Sequence, residues 1–232
     1  MTKEAIILFS GGQDSTTTLC LALTQGYTLY PLGFNYGQKH KREIDQARKI
    51  INFLQPKYPN KLKNLRVQKV EFPKSVNYSD LLSTTELDGR PHKLNPALPA
   101  SFVPGRNMLF LMYAAMIGYS MGIHNIFIGV NQEDYSGYPD CREQFIDSMR
   151  HTLLRAFGLA NGETIIHTPL LYLNKSEISR LTKTLPYCKE AVGLSHTCYN
   201  NQFPPCGVCP ACKIRAKGFK DAGLIDPLIE KG

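Results

Sequence analysis

No stretch of this chain approaches the run of about 18 uninterrupted apolar residues that a membrane helix requires, so no membrane span is expected. No signal peptide is expected either, because Met1-Thr2-Lys3-Glu4 leads directly into a strand pattern. Internal repeats and low-complexity segments are missing. Arginine-rich tracts with interleaved aromatics are also missing, so the formal net charge of +8 does not by itself demand a nucleic acid. The same balance suits small anionic ligands, or solubility alone. These absences point to a cytoplasmic globular protein with reduced thiols. Its 232 residues suffice for one substantial α/β domain with a small appendage.

A second group of absences sharpens the first motif. At the end of the apolar segment Ala5-Ile6-Ile7-Leu8-Phe9 stands Ser10-Gly11-Gly12-Gln13-Asp14-Ser15, followed by a helical pattern through Leu19, Leu21 and Leu23. No lysine follows the glycines, which excludes a Walker A loop, and no third glycine completes a dinucleotide fingerprint. What remains is a strand-to-helix turn of adjacent glycines and hydroxyls. Such a turn brings backbone amides and a helix N-terminus against negative charge. The chemistry is that of a phosphate grip. The alternative is a solvated turn in which Asp14 and Ser15 merely cap the helix.

The rest of the chain alternates strand and helix, the pattern of an open parallel sheet with helices on both faces. Strands are expected near 27–35, 65–71, 125–130 and 164–167. Helices are expected near 41–53, 106–121, 143–157 and 176–185. The charges of the 41–53 helix, including Glu43 and Arg48, read as a solvated face. From 82 to 105 the chain is irregular and carries Pro91, Pro96, Pro99 and Pro104, which suggests a lid over a site. We divide the chain at 187/188, into a nucleotide-binding α/β domain (1–187) and a helical, cysteine-bearing segment (188–232) packed on it.

Four of the seven cysteines, Cys198, Cys206, Cys209 and Cys212, stand as Cys-x7-Cys-x2-Cys-x2-Cys. Turns through Pro205, Gly207 and Pro210 can fold four thiolates around one tetrahedral ion, and zinc suits a closed four-sulfur shell. An iron–sulfur cluster is the competing occupant, although its usual fourth cysteine lies downstream and precedes a proline. A site with four protein ligands has no open position, so its role is structural. Cys20 reads as a small core residue and Cys188 as a weaker competitor for the metal. His196 is an alternative ligand beside Cys198.

Further candidates follow strand ends, where open α/β sheets bind ligands. From Asn131 to Arg142 the chain is dense in polar and aromatic groups. Asp134, Tyr135, Tyr138, Asp140 and Arg142 are candidate substrate residues. Tyr rings can stack on a planar base, carboxylates can accept ring N–H groups, and Arg142 can hold a carboxylate or phosphate bidentately. Asp140 is equally readable as the cap of the following helix, and Cys141 as a buried thiol. Arg106 opens a helix within reach of an anion, and Lys175 opens another where it can neutralise phosphates.

Taken together, Phe9–Ser15, Phe34-Asn-Tyr-Gly-Gln38, Val103-Pro-Gly-Arg-Asn107, Asp134–Arg142, Leu173-Asn-Lys-Ser-Glu177, Cys198–Cys212 and Arg215-Ala-Lys-Gly-Phe219 resemble the 7-cyano-7-deazaguanine synthases of the queuosine pathway. Those enzymes are N-type ATP pyrophosphatases, with a PP-loop on a Rossmann-like sheet. The resemblance implies a carbon–nitrogen ligase converting 7-carboxy-7-deazaguanine and ammonia into the nitrile, with two ATP consumed by successive adenylation of carboxylate and amide. It implies ATP binding by Phe9, Ser10, Gly11, Gly12, Gln13, Asp14, Ser15, Thr16 and Arg106. Asp14, Ser15 and Lys175 take the catalytic roles, Mg²⁺ accompanies ATP, and structural zinc sits on Cys198, Cys206, Cys209 and Cys212. Direct tRNA binding is not expected, and a homodimer is an open option.

Two places depart from the family pattern. The segment Leu194-Ser-His-Thr197 lacks the tryptophan often found before the first zinc ligand, the chain having none at all, and the stretch from Gln55 to Lys63 is longer than expected. Two other functions share parts of the pattern. A tRNA-modifying PP-loop enzyme that thiolates a base would keep Ser10–Ser15. A non-catalytic zinc-bearing nucleic-acid module would show steep salt dependence and consume no ATP.

Overall fold

Alternation of apolar residues along the first strand dictates two cores. In the computed structural model, which describes residues 3–37, 41–73, 79, 91–132, 137–160 and 165–230, strand β1 (Glu4–Leu8) lies at the centre of a five-stranded sheet. Successive strand side chains point to opposite faces. Ala5 and Ile7 accordingly face one layer of helices, while Ile6 and Leu8 face the other. The strand is buried on both sides and reads as a continuous apolar run, as central parallel strands do.

The chain proceeds through α1 (Gln13–Thr24), β2 (Thr28–Asn35), α2 (Lys41–Leu54), β3 (Arg66–Lys69), the short strands β4 (Pro91–His92) and β5 (Asn95–Pro99), and α3 (Arg106–Ser120). It continues with β6 (Asn125–Phe127), α4 (Glu143–Ala156), β7 (Ile165–His167), α5 (Lys175–Thr184), α6 (Cys188–Val192) and α7 (Pro210–Asp221). The main sheet has the order β3-β2-β1-β6-β7, and every pair in it is parallel. Neighbours of β1 are reached in opposite directions along the chain, so the order reverses beside β1. This reversal is the switch point at which such sheets open a crevice beyond the carboxyl ends of their strands.

One helical layer, including α3 and α4, packs Leu111, Ala114, Ile146, Met149 and Leu153 on the Ile6/Leu8 face. Opposite it, α1 and α2 bury Leu19, Leu23, Ile50 and Leu54 against Ala5 and Ile7. Cys188, Ala191 and Val192 of α6 and Phe219 of α7 share this second core. Cys20 is buried here, as the apolar helix pattern predicts, and so is Cys188, away from the four-cysteine group. Gly218 lets α7 lie close on the start of α5, since a Cβ there would stand 2.7 Å from that of Lys175.

Two segments without a sequence-level assignment take on structure. Residues 91–99 form an antiparallel hairpin, whose register runs from Pro91↔Pro99 to His92↔Asn95, rather than irregular chain. Residues 82–90 lie outside the described residues. The long segment 55–63 begins as a short 3-10 turn and then runs beside β2. There Leu29 N–H donates to Lys61 O at 2.7 Å, and Lys63 N–H donates to Leu29 O at 2.9 Å. Its extra residues thus satisfy backbone groups along β2.

Candidate active site

The phosphate-type turn is built by local geometry. Gly11 has φ of +80°, and a Cβ on it would stand 2.8 Å from the Ala47 nitrogen of α2, so both conformation and space require glycine. Gly12 forms the N-cap of α1 with no side-chain cap. The capping reading of Asp14 and Ser15 therefore fails. Ser15 Oγ donates to the Gly12 carbonyl at 3.2 Å and lies 3.1 Å from Ser10 Oγ. The first-turn amides of α1 are left without a side-chain acceptor, as an anion site requires.

Asp14 meets a partner far away in sequence. Lys175 Nζ donates to both its carboxylate oxygens, at 2.8 and 2.6 Å, from the first turn of α5. Lys175 is aimed by a capping box, in which Asn174 accepts from Ser176 and Glu177 backbone N–H groups and Glu177 accepts from Asn174 N–H. Gln13 reaches Ser179 of the same helix at 3.3 Å. The two helix N-termini are thus fastened together at the mouth of the switch point.

A cavity of about 320 Å³, within the usual size range of small-ligand sites, opens there. Phe9, Ser10, Gly12, Gln13, Asp14, Ser15, Arg106, Tyr138 and Lys175 all line it. Gly11 is packed on α2 instead, and Thr16 is buried within α1 with no hydrogen-bond partner for Oγ1. Phe34 and Phe110 stack with centroids 4.0 Å apart, and Tyr36 lies 5.4 Å from Phe110, giving an aromatic wall suited to a planar ring. The Arg106 guanidinium lies 5.8 Å from the Tyr138 ring, whose hydroxyl is 2.6 Å from Ser101 Oγ.

Other candidates from the 131–142 segment separate. Asp140 is buried and caps a helix, but the helix is α3 rather than the following one. Its Oδ2 accepts from Asn107 N–H at 3.1 Å, while Asn107 Nδ2 donates to the Asp140 carbonyl at 3.0 Å. Burial raises its pKa, against the opposing pull of Arg106. Cys141 is buried beside it and accepts from Asn107 Nδ2 at 3.4 Å. Arg142 is exposed at the start of α4 and does not line the cavity. Asp134 and Tyr135 lie outside the described residues.

Glu43 overturns its assignment to a solvated face. It sits half-buried in the first turn of α2, lines the cavity, and has its carboxyl pushed up to about 7 by burial, against the pull of Arg106. Burial likewise raises the Tyr36 phenol to about 12. Arg215 was also missed as a contributor. Its guanidinium makes a bidentate pair with Asp226 at 2.7 and 2.8 Å and donates to Ser195 Oγ at 2.7 Å and Thr197 Oγ1 at 2.9 Å. Between those hydroxyl residues His196 N–H donates to the Gly11 carbonyl at 3.1 Å, which ties the C-terminal segment to the phosphate turn. Residue type alone gives no sign of these partnerships. Only membership of the Phe34–Gln38 and Arg215–Phe219 motifs marked Tyr36 and Arg215.

Cys198, Cys206, Cys209 and Cys212 have all their sulfur atoms within 4.8 Å of one another. Edges of about 3.8 Å are expected for a tetrahedron with metal–sulfur bonds near 2.3 Å, and Cys206 and Cys212 sulfurs lie 3.9 Å apart. Backbone N–H groups of Cys206 and Cys209 donate to the sulfurs of Cys198 and Cys206 at 3.5 and 3.3 Å. Cys209 is the N-cap of α7 and Pro210 its first residue, so a helix N-terminus adds further positive potential. This donor set fits a metal ion. His196 stays outside it, its Nε2 3.1 Å from the Cys198 carbonyl.

A parallel sheet of this order, with an uncapped Ser-Gly-Gly-x-Asp-Ser turn opening onto its switch point, defines an α/β protein of the PP-loop nucleotide-binding class. The fold is shared with a 4-thiouridine synthetase whose structure holds RNA and bound ATP (TM-score 0.53, 17% identity, covering 98% of this chain and 52% of that one). The family model described as queuosine biosynthesis protein QueC matches residues 4–223, and the chain belongs to that family. The 7-cyano-7-deazaguanine synthase of Acetivibrio thermocellus is 39% identical over 230 residues, covering 97% of each chain. That of Chromobacterium violaceum is 38% identical over 231 residues, covering 99% of this chain and 94% of its own. No helix among the described residues is long and apolar enough to cross a membrane.

Proposed function

We propose that this chain is a 7-cyano-7-deazaguanine synthase, converting 7-carboxy-7-deazaguanine and ammonia into the nitrile with release of AMP and pyrophosphate. One observation carries the reading: a single cavity joins the uncapped phosphate turn to an aromatic wall and Arg106. Oxide cannot leave from a carboxylate, so attack of the carboxylate on the α-phosphorus must come first, exchanging oxide for AMP. The first-turn amides of Gln13–Ser15 and the Lys175 ammonium stabilise the pyrophosphate charge, and Asp14 orients Lys175 beside Mg·ATP. The aromatic wall holds the heterocycle, and Arg106, expected from the resemblance to bind ATP, takes in this reading the substrate carboxylate that Arg142, outside the cavity, does not reach. Residues 1–187 then form the nucleotide-binding unit, closed by 188–232.

The purified chain with 7-carboxy-7-deazaguanine, ammonium and Mg·ATP should release AMP and pyrophosphate and form the nitrile, as read by chromatography. Release of ADP and phosphate instead would sink the adenylation scheme.

Zinc is the occupant that four thiolates at these separations suit best, as a structural ion without an open position. Elemental analysis of aerobically purified protein should return one zinc per chain without acid-labile sulfide. Iron with sulfide would point instead to a base-thiolating enzyme. Cys209→Ser should cost solubility or folding before it alters any isolated chemical step. A stable but inactive variant would argue against a purely structural metal.

A further inference from the structure

Nitrogen enters the proposed reaction as ammonium with four protons and leaves in a nitrile with none, so the site needs a proton acceptor beside the attacked carbon. Among the described residues lining the cavity, two carry carboxylates, Asp14 and Glu43. Both oxygens of Asp14 are taken by the Lys175 ammonium. His196 is turned toward the Cys198 carbonyl, and the Cys141 sulfur accepts from Asn107. The phenols of Tyr36, Tyr138 and Tyr199 are all raised and stay protonated at neutral pH. Glu43 remains, facing the same space as Arg106, the group assigned to the substrate carboxylate.

We propose that Glu43 is the general base that takes protons from nitrogen as the amide forms. The assignment rests on the reading of this cavity as the nitrile-forming site. Ammonia adds its lone pair to the carbonyl carbon of the acyl-adenylate, giving a tetrahedral adduct with a cationic nitrogen. The Glu43 carboxylate takes one N–H proton. The carbon–oxygen bond to phosphate then breaks, and AMP departs with that electron pair. The products are the amide and a Glu43 carboxylic acid, which returns its proton to solvent.

The surroundings suit a base working near neutrality. Arg106 of α3 faces Glu43, with Tyr36 from the end of β2 and Tyr199 from the cysteine segment. Tyr138 joins the set through Arg106 and Tyr199. On its own helix, Arg42 and Asp45 are exposed to solvent. Desolvation dominates, and the carboxyl is raised to about 7, close to the working pH at which a base is most effective. The base acts deprotonated, so activity per free ammonia should rise with pH through this value and level off above it.

Two assays on the full chain test the assignment. One is carboxylate-dependent exchange of pyrophosphate into ATP, which reads adenylation alone. The other is kcat/KM for free ammonia from pH 5.5 to 9. Glu43→Gln should lose roughly 10²-fold in the second and its acid limb near pH 7, while exchange stays within about twofold. Glu43→Asp should recover part of the ammonia term and restore a titrating limb. It also carries the test if the glutamine variant folds poorly. A parallel loss of exchange, or an unchanged pH profile, would overturn the assignment. Absence of exchange in the unaltered chain would overturn the adenylation reading, and the role of Glu43 with it.

Discussion

Asp14→Ala should reduce nitrile formation by on the order of 10³-fold or more while costing only about 1 kcal/mol in stability. The two magnitudes differ for a physical reason. Asp14 and Lys175 side chains are 23% and 14% exposed, so water screens the pair and little folding energy rides on it. In the reaction the same pair fixes an ammonium at the mouth of an uncapped helix, where charge accumulates on phosphate. Without Asp14 the lysine loses two charge-assisted hydrogen bonds, and its positive charge is no longer held in the orientation they impose. Lys175→Met should cost a similar factor. The double variant should cost little more than either single one, because the two act as a unit. Bound metal should stay at its unaltered content in Asp14→Ala. Loss of metal together with activity would show Asp14 to be a structural residue.

A second large effect is expected on stability, at Arg215. Its side chain is 3% exposed, and Asp226 is 10% exposed. Removing one member of a buried pair leaves the other charged and without its partner, at a cost of about 3–5 kcal/mol. Arg215→Met should therefore lower the urea midpoint strongly. Arg215→Lys should recover only part, since one ammonium cannot reproduce the bidentate pair and also reach Ser195 and Thr197. Replacing both members, by Arg215→Met with Asp226→Leu, should be milder than Arg215→Met alone. The loss should also raise KM for ATP, because Ser195 and Thr197 flank the His196 N–H bonded to Gly11. An Arg215→Met chain as stable as the original would refute this account.

Elements governed by neighbours in the chain were legible from residue order. The β1–turn–α1 unit was readable because an apolar run, two glycines and a helical pattern lie end to end. The alternation of strand and helix announced a parallel sheet for the same reason. Element boundaries moved by a residue or a few, most at β6, which ends at Phe127 rather than Val130. The hairpin at 91–99 was missed because its prolines mimic irregular chain, yet edge positions tolerate them. Glu43 was misread because local pattern makes an acidic residue in a helix's first turn look solvated. What buries it is contributed by the end of β2, a few residues back, and by α3 and the cysteine segment, both distant in sequence.

By itself, the sequence determined the phosphate turn and the four-thiolate cluster, because each is assembled from residues within one short segment. Backbone conformation and residue spacing suffice to bring such donors together. Tertiary structure alone decided that Lys175 holds Asp14, that Asp140 caps α3 rather than α4, that Arg215 braces the phosphate turn, and that Glu43 faces Arg106 across one cavity. Each of those pairings joins elements that only the order of the sheet brings together, and side-chain charge acts over a few ångströms of space rather than along the chain.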